Sequence, residues 1–360
     1  MLTWLGVSGA AQAQEFANDQ FHAFNMAVVD KRILPAYRTL ADAAIELQQS
    51  SEALCADRSQ AKLSTVKSRF HQFTDAWMAI QYFRIGPVEF AFRSSHIQYW
   101  PDKHNVVSKQ LAKLLSKQDP TVLEPENFRD VSAGLQGLSA LERVIFSSDS
   151  EEKLLASADD APYRCALLVA IAHNLAWMTN AIVRDWESGK NAFRTQVLAA
   201  NDESGSDFFA DPTELAYQIL SRLRESVQAV HDLKIGRPLG KAGSRPKPRR
   251  AEMWRSERSL ENVRQNLEVV ADYFADTGPL SIFSESESAH ERIDSADWHL
   301  GAALKALAGI ESISATSLES APTIEALKLA QSQLDDAIES IAKLLVALGG
   351  SAGFNSLDGD

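Results

Sequence analysis

Apolar residues recur at helical spacing in almost every segment of this chain, and no segment alternates with a period of two. That pattern restricts the fold to packed α-helices, because a half-buried strand needs strict alternation. Phe21, Phe24 and Val28, followed by Leu40, Ala44 and Leu47, mark a first long helix in which Pro35 is either a start or a kink. Val66, Phe70, Phe73, Trp77 and Ile80 mark a second helix, and Leu168, Ile171, Leu175, Met178 and Ile182 mark one in the middle of the chain. Two more stripes run Leu215, Ile219, Leu223, Val227, Val230 and Leu260, Val263, Leu267, Val270, Phe274. A heptad-like final helix from Ile324 to Leu348 is opened by Pro322-Thr323 and closed by Gly349-Gly350.

The polar break Asn201–Ser206 leaves helices of similar number and length on either side. The expected fold is therefore all-α, two tandem helical bundles, over residues 14–200 and 207–360. A second break at 236–250 gathers Arg237, Lys241, Arg245, Lys247, Arg249 and Arg250 with three prolines. It reads as an exposed basic loop, either simply solvated or a docking loop for an acidic partner or an anionic membrane surface. The formal net charge of −12 argues against a nucleic-acid partner, which needs a basic surface.

Residues 1–13 read as an export signal, with Ala11-Gln12-Ala13 as the cleavage site. No later segment is read as apolar for long enough to span a bilayer, so the expected location is the bacterial periplasm. Cys55 and Cys165 either form one disulfide in that oxidising compartment or remain buried thiols.

One stretch points to chemistry. In Gly137-Leu138-Ser139-Ala140-Leu141-Glu142 the acid follows Leu138 by four residues and precedes Ile145 by three, so it lies on the apolar stripe of a helix. Ser139, three residues before it, faces the same way. A carboxylate in such a place costs several kcal/mol unless it is paired, hydrogen-bonded or metal-bound. It is either a functional acceptor or a structural Glu held by an Arg or by backbone donors.

The other tests are negative. There is no H-E-x-x-H, no zinc-finger spacing and no phosphate-binding glycine loop after a strand. Gly349–Gly353 matches G-x-S-x-G but follows a helix instead of a strand, so it reads as a helix cap. Glu287, His290 and Asp294 have helical metal-ligand spacing but also fit a charged, solvent-facing helix.

Several features, in order, resemble the imelysin family of imelysin-like peptidases linked to bacterial iron uptake. They are Ile33–Tyr37 with its proline, Trp77, Arg84-Ile85-Gly86-Pro87, Trp100-Pro101-Asp102 and Gly137–Glu142. Arg258-Ser259-Leu260 with Asn262 and Asn266-Leu267, and the tail Gly353–Asp360, complete the set. The resemblance implies two four-helix-bundle-like domains related by duplication, with a site near the helix where the family carries G-x-H-x-x-E. Ser139 stands here at the position of the motif's His, and a hydroxyl is a poorer ligand than imidazole for zinc or iron.

The expectation is thus a periplasmic imelysin-like protein associated with iron uptake, binding a ligand or partner without catalysis; the alternative is an imelysin-type metallopeptidase in which His96 or His173 replaces the missing ligand. The expected site has Glu142 as central acceptor, Ser139 as its hydrogen-bonding neighbour, Arg84 as counter-charge, Trp100 as cleft wall and Asp358 as a tail contact. A divalent metal or iron is the candidate cofactor. An iron- or haem-related ligand and a cell-envelope protein are the candidate partners.

Overall fold

The computed structural model describes residues 16–155, 159–189, 192–201, 205–241 and 243–351. The export signal over residues 1–13 and the tail residue Asp358 lie outside the described residues. Helix α1 (Asn18–Val28) passes through a π-helical turn, Val29–Ile33, into α2 (Leu34–Ala56), with Pro35 in the first turn of α2. Proline cannot donate to the preceding turn, and the wider turn is where the helical run adjusts. Pro35 therefore marks a kink within one long run.

That run joins two groups of helices. Helix α2 packs on α3 (Gln60–Met78) and along α6 (Ala161–Glu187), while α1 packs on α7 (Pro212–Ala229). Phe21 and Phe24 of α1 meet Phe283 at ring-centroid distances of 5.3 and 5.4 Å, and Phe21 also meets Tyr217 of α7 at 5.8 Å. Between α3 and α6 the chain forms α4 (Val106–Lys117) and α5 (Leu138–Phe146). In the later group, α8 (Ser259–Phe274) packs on α9 (Glu287–Leu307), which pairs along its length with α10 (Ala321–Ala347). The buried stripe Leu327, Leu334, Ile341, Leu344 of α10 fits the heptad-like spacing, and Gly349, at φ +89°, caps the helix in the left-handed region. The described residues contain no strand.

Helix α6 corrects one expectation, since it is long and apolar enough by composition to cross a membrane. It is a core helix nevertheless: Leu168, Ile171, Leu175, Ile182 and Trp186 are all fully buried against its neighbours. The charged segment at the start of α9 resolves toward its surface reading. His290 Nε2 lies 3.6 Å from Asp294 Oδ2 with both side chains more than half exposed.

Cys55 at the end of α2 and Cys165 at the start of α6 form a disulfide with a Cα–Cα distance of 5.5 Å. It spans 110 residues of sequence. A loop of that length gives about 4–5 kcal/mol in the chain-entropy account. Urea unfolding of the double variant Cys55→Ala/Cys165→Ala should therefore show a loss of about 2–5 kcal/mol with α-helical circular dichroism retained; unchanged stability would mean that the pair is not bonded in solution.

Candidate functional site

Helix α5 begins where two backbones touch. A Cβ on Gly137 would lie 2.2 Å from the carbonyl oxygens of both His96 and Ile97, so only glycine lets α5 start against that segment. The helix then turns Leu138, Leu141 and Ile145 into the core, and Glu142 goes with them at 4% exposure. Its Oε1 accepts the backbone N–H of Arg255 at 3.1 Å, the backbone N–H of Ser256 at 3.0 Å and the Ser256 hydroxyl at 3.0 Å. Two successive amides and a hydroxyl thus converge on one carboxylate oxygen, as in an anion-binding nest. The turn they belong to is strained at both ends, with Met253 and Glu257 at φ +46° and +60°. Burial pushes the Glu142 carboxyl above its ordinary range, opposed by the Ser256 bonds and then by the Arg255 and Arg143 charges.

Two of the other expected site residues, Ser139 and Arg84, take up different roles. Ser139 does not bond Glu142; its hydroxyl donates to the Tyr99 carbonyl at 2.8 Å, because the irregular segment before Trp100 offers it a free acceptor. Arg84 is not the counter-charge. It is exposed between the buried Phe83 and Ile85, and lines a separate cavity of about 160 Å³ with Arg222 and Glu225. Trp100, which precedes a cis Pro101, does line the Glu142 cleft. Asp102 was not expected at the site. It caps α4 by accepting from the Val106 and Val107 amides at 2.6 and 3.2 Å, and it pairs with Arg143 at 3.3 Å. The sequence signal for it was the acid four residues ahead of a helical stripe.

The cleft has a volume of about 880 Å³. Residues 98–100 and 102–105, Ser139, Glu142 and Arg143 form one side of it; Arg237 and residues 249–251 and 253–255 form the other. The basic loop therefore folds so that three of its arginines, Arg237, Arg249 and Arg250, face the buried acid's cleft. Arg249 and Arg255 lie over the Trp254 ring at 5.6 and 4.3 Å. Arg143 is held from three directions, by Asp102, by the Ser108 hydroxyl at 2.9 Å and by the Ser139 carbonyl at 2.6 Å.

Behind the cleft lies a buried polar network that no sequence pattern announced. A π-helical turn, Val230–Gly236, points Lys234 inward to 1% exposure. Lys234 Nζ pairs with Glu252 Oε2 at 2.7 Å and donates to Gln81 at 3.0 Å and to Asn266. Glu252 also accepts from Gln98 at 2.9 Å and Asn262 at 2.9 Å, and Gln98 accepts from the Trp77 indole at 2.7 Å. The network links α3 and the segment before Trp100 to the turn that carries Arg255. Removing one partner of such a pair typically costs about 3–5 kcal/mol.

This arrangement can be set beside known proteins. The family model Peptidase_M75: Imelysin matches residues 33–347. The chain belongs to the imelysin family. Among curated relatives, iron-regulated protein A of Synechococcus elongatus is 26% identical over 242 residues, which span 66% of this chain and 60% of that protein. The match thus covers less than two thirds of the relative's own length. Two solved structures share the fold. An imelysin-like protein from Psychrobacter arcticum superposes with a TM-score of 0.77 at 19% identity, over 94% of this chain and 99% of that one. A Parabacteroides distasonis protein assigned as an iron-regulated protein A precursor gives 0.69 at 15% identity, over 95% of each chain.

The sequence makes a divalent metal or iron the candidate cofactor of this cleft. Its donors do not match one. Glu142 Oε1 is held by three hydrogen-bond donors, Ser139 is engaged with Tyr99, and Asp102 is held by two amides and Arg143. His104 lines the cleft, but among the described residues no group of three His, Cys, Asp or Glu side chains could hold a metal ion. The surrounding arginines would repel a cation.

Glu142→Gln keeps an oxygen for the two amides, whereas Glu142→Ala leaves both amides without an acceptor. Denaturant unfolding should place Glu142→Ala about 2–4 kcal/mol below the wild type and Glu142→Gln within about 1 kcal/mol of it. The pH dependence has a definite sign. Because the folded carboxyl titrates above its unfolded value, the burial penalty is absent below the unfolded pKa and grows as pH rises toward the folded one. Glu142→Gln should thus gain on the wild type across that window. Equal loss in both variants would show that the charge itself is required.

Proposed function

We propose that this imelysin is an exported, non-catalytic protein that binds a ligand in the cleft above Glu142 and acts in iron acquisition. The observation that carries the reading is that Glu142 Oε1 is bound by the Arg255 and Ser256 amides and the Ser256 hydroxyl. The residue best placed to hold a catalytic metal instead anchors the turn that walls the cleft. Export is supported by the Cys55–Cys165 disulfide, which persists in oxidising compartments, and by the Ala11-Gln12-Ala13 sequence. The iron connection rests on two similar proteins that are named iron-regulated protein A or its precursor. In this reading residues 14–200 and 207–360 are the tandem bundles, and the cleft lies between segments of both.

The metallopeptidase alternative needs an imidazole to complete a metal site. His96 Nδ1 is bonded to the Phe92 carbonyl at 2.9 Å, and neither His96 nor His173 lines the cleft. An unfolded-protein digestion assay, run with zinc or iron and with a chelator, separates the two readings. The proposal expects no chelator-sensitive cleavage. Cleavage that a chelator abolishes and that Glu142→Gln loses would establish the peptidase.

A further inference from the structure

The cleft's charge runs against the charge of the chain. The protein carries −12 overall, yet Arg143, Arg237, Arg249, Arg250 and Arg255 line one cavity. The two acids in that cavity are already engaged: Asp102 with Arg143 and the α4 amides, Glu142 with the 255–256 turn. Among the described residues, none of Arg237, Arg249, Arg250 and Arg255 forms a salt bridge, although Arg255 feels the Glu142 and Asp102 charges. Cations brought together in this way repel one another unless an anion sits between them.

We infer that the cleft over Glu142 binds a compact polyanion, an oxyanion ligand with two or more negative charges, taken up free or as the donor shell of a ferric ion. This rests on the proposed reading of the cleft as a ligand site and states its substrate class. Four features of the geometry carry it. The cavity is concave and of the size that encloses one small molecule, which a convex macromolecular docking face is not. Guanidinium groups enter from two separate stretches of the chain, Arg143 on α5 and the arginines of 237–255, and their planar forks match carboxylate and phosphate oxygens.

The walls are also held in place before any ligand arrives. Arg143 is fixed by Asp102, Ser108 and the Ser139 carbonyl, and the Trp254 ring supports Arg249 and Arg255. Finally, the arginines sense one another. Burial lowers the proton affinity of Arg255, the Glu142 charge opposes this, Arg249 lowers it further and Asp102 opposes it in turn; burial and Arg250 both lower that of Arg237. Binding an anion relieves that repulsion, whereas binding a bare cation increases it. The exposed loop residues Lys241, Arg245 and Lys247 do not line the cavity and serve as internal controls.

The test is calorimetry and thermal shift on the purified full chain, with citrate, ferric citrate, pyrophosphate, acetate and zinc chloride as probes. At least one of citrate, ferric citrate and pyrophosphate should bind and raise the melting temperature, with affinity falling as salt is added. Acetate and zinc chloride should do neither. The double variant Arg249→Gln/Arg250→Gln, both exposed and so compatible with folding, should weaken binding by about tenfold or more, and Arg245→Gln by less than about twofold. Glu142→Gln should bind as tightly as the wild type or tighter. Preference for ferric citrate would mark the iron chelate as the form taken up, and preference for pyrophosphate a phosphate source; either supports the inference. Polyanion binding that the double variant leaves intact would overturn it, as would a polyglutamate peptide bound ahead of every small anion. Zinc binding that Glu142→Gln abolishes would also overturn it, while leaving the cleft a ligand site. No response to any probe would remove the ligand site itself.

Discussion

One buried carboxylate oxygen fixes the turn that walls the cleft. Glu142 leaves α5 inside the core and meets two amides and a hydroxyl of a turn more than a hundred residues away. Among the described residues the Arg255 and Ser256 amides have no other acceptor, whereas the Ser256 hydroxyl can also donate to the Met253 carbonyl at 3.1 Å. A buried acid without donors and a buried pair of N–H groups without an acceptor are both costly, so the interaction is most valuable for what its absence would leave behind. The turn it fixes is the one that presents Trp254 and Arg255. Close by, Lys234 and Glu252 tie the same turn to α3 and to the segment that leads to Trp100.

From this follows a division of labour between two kinds of charge. The charges that are fully buried are saturated by named partners and belong to the architecture. The cleft walls carry a different set, in which five arginines outnumber the two acids. The disulfide and the core helix α6 make the first group of helices a firm base, and the kinked run from α1 into α2 carries the chain between the two groups.

The helices were legible because burial imposes a period, and the period survives in one dimension. The stripe of α6 and the heptads of α10 read correctly for that reason. The buried position of Glu142 was legible by the same rule. Its partners were not, because they are backbone amides, and an amide has no letter in the sequence. The search for a side-chain counter-charge therefore selected Arg84, which faces solvent between Phe83 and Ile85. Ser139 was misread in a similar way: helical spacing puts it near Glu142, but a free carbonyl at Tyr99 decides where its proton goes. The basic loop was visible as composition. That three of its arginines line the cleft over the acid depends on contacts between distant segments, which spacing cannot express.

The central claim is that Glu142 acts as the acceptor for the 255–256 turn and not as a metal ligand, and amide hydrogen exchange resolved at Arg255 and Ser256 tests it most directly. The account predicts that both amides are protected in the wild type, that protection collapses in Glu142→Ala, and that added zinc changes neither. Amides that exchange freely in the wild type, or that lose protection when zinc is added, would contradict it.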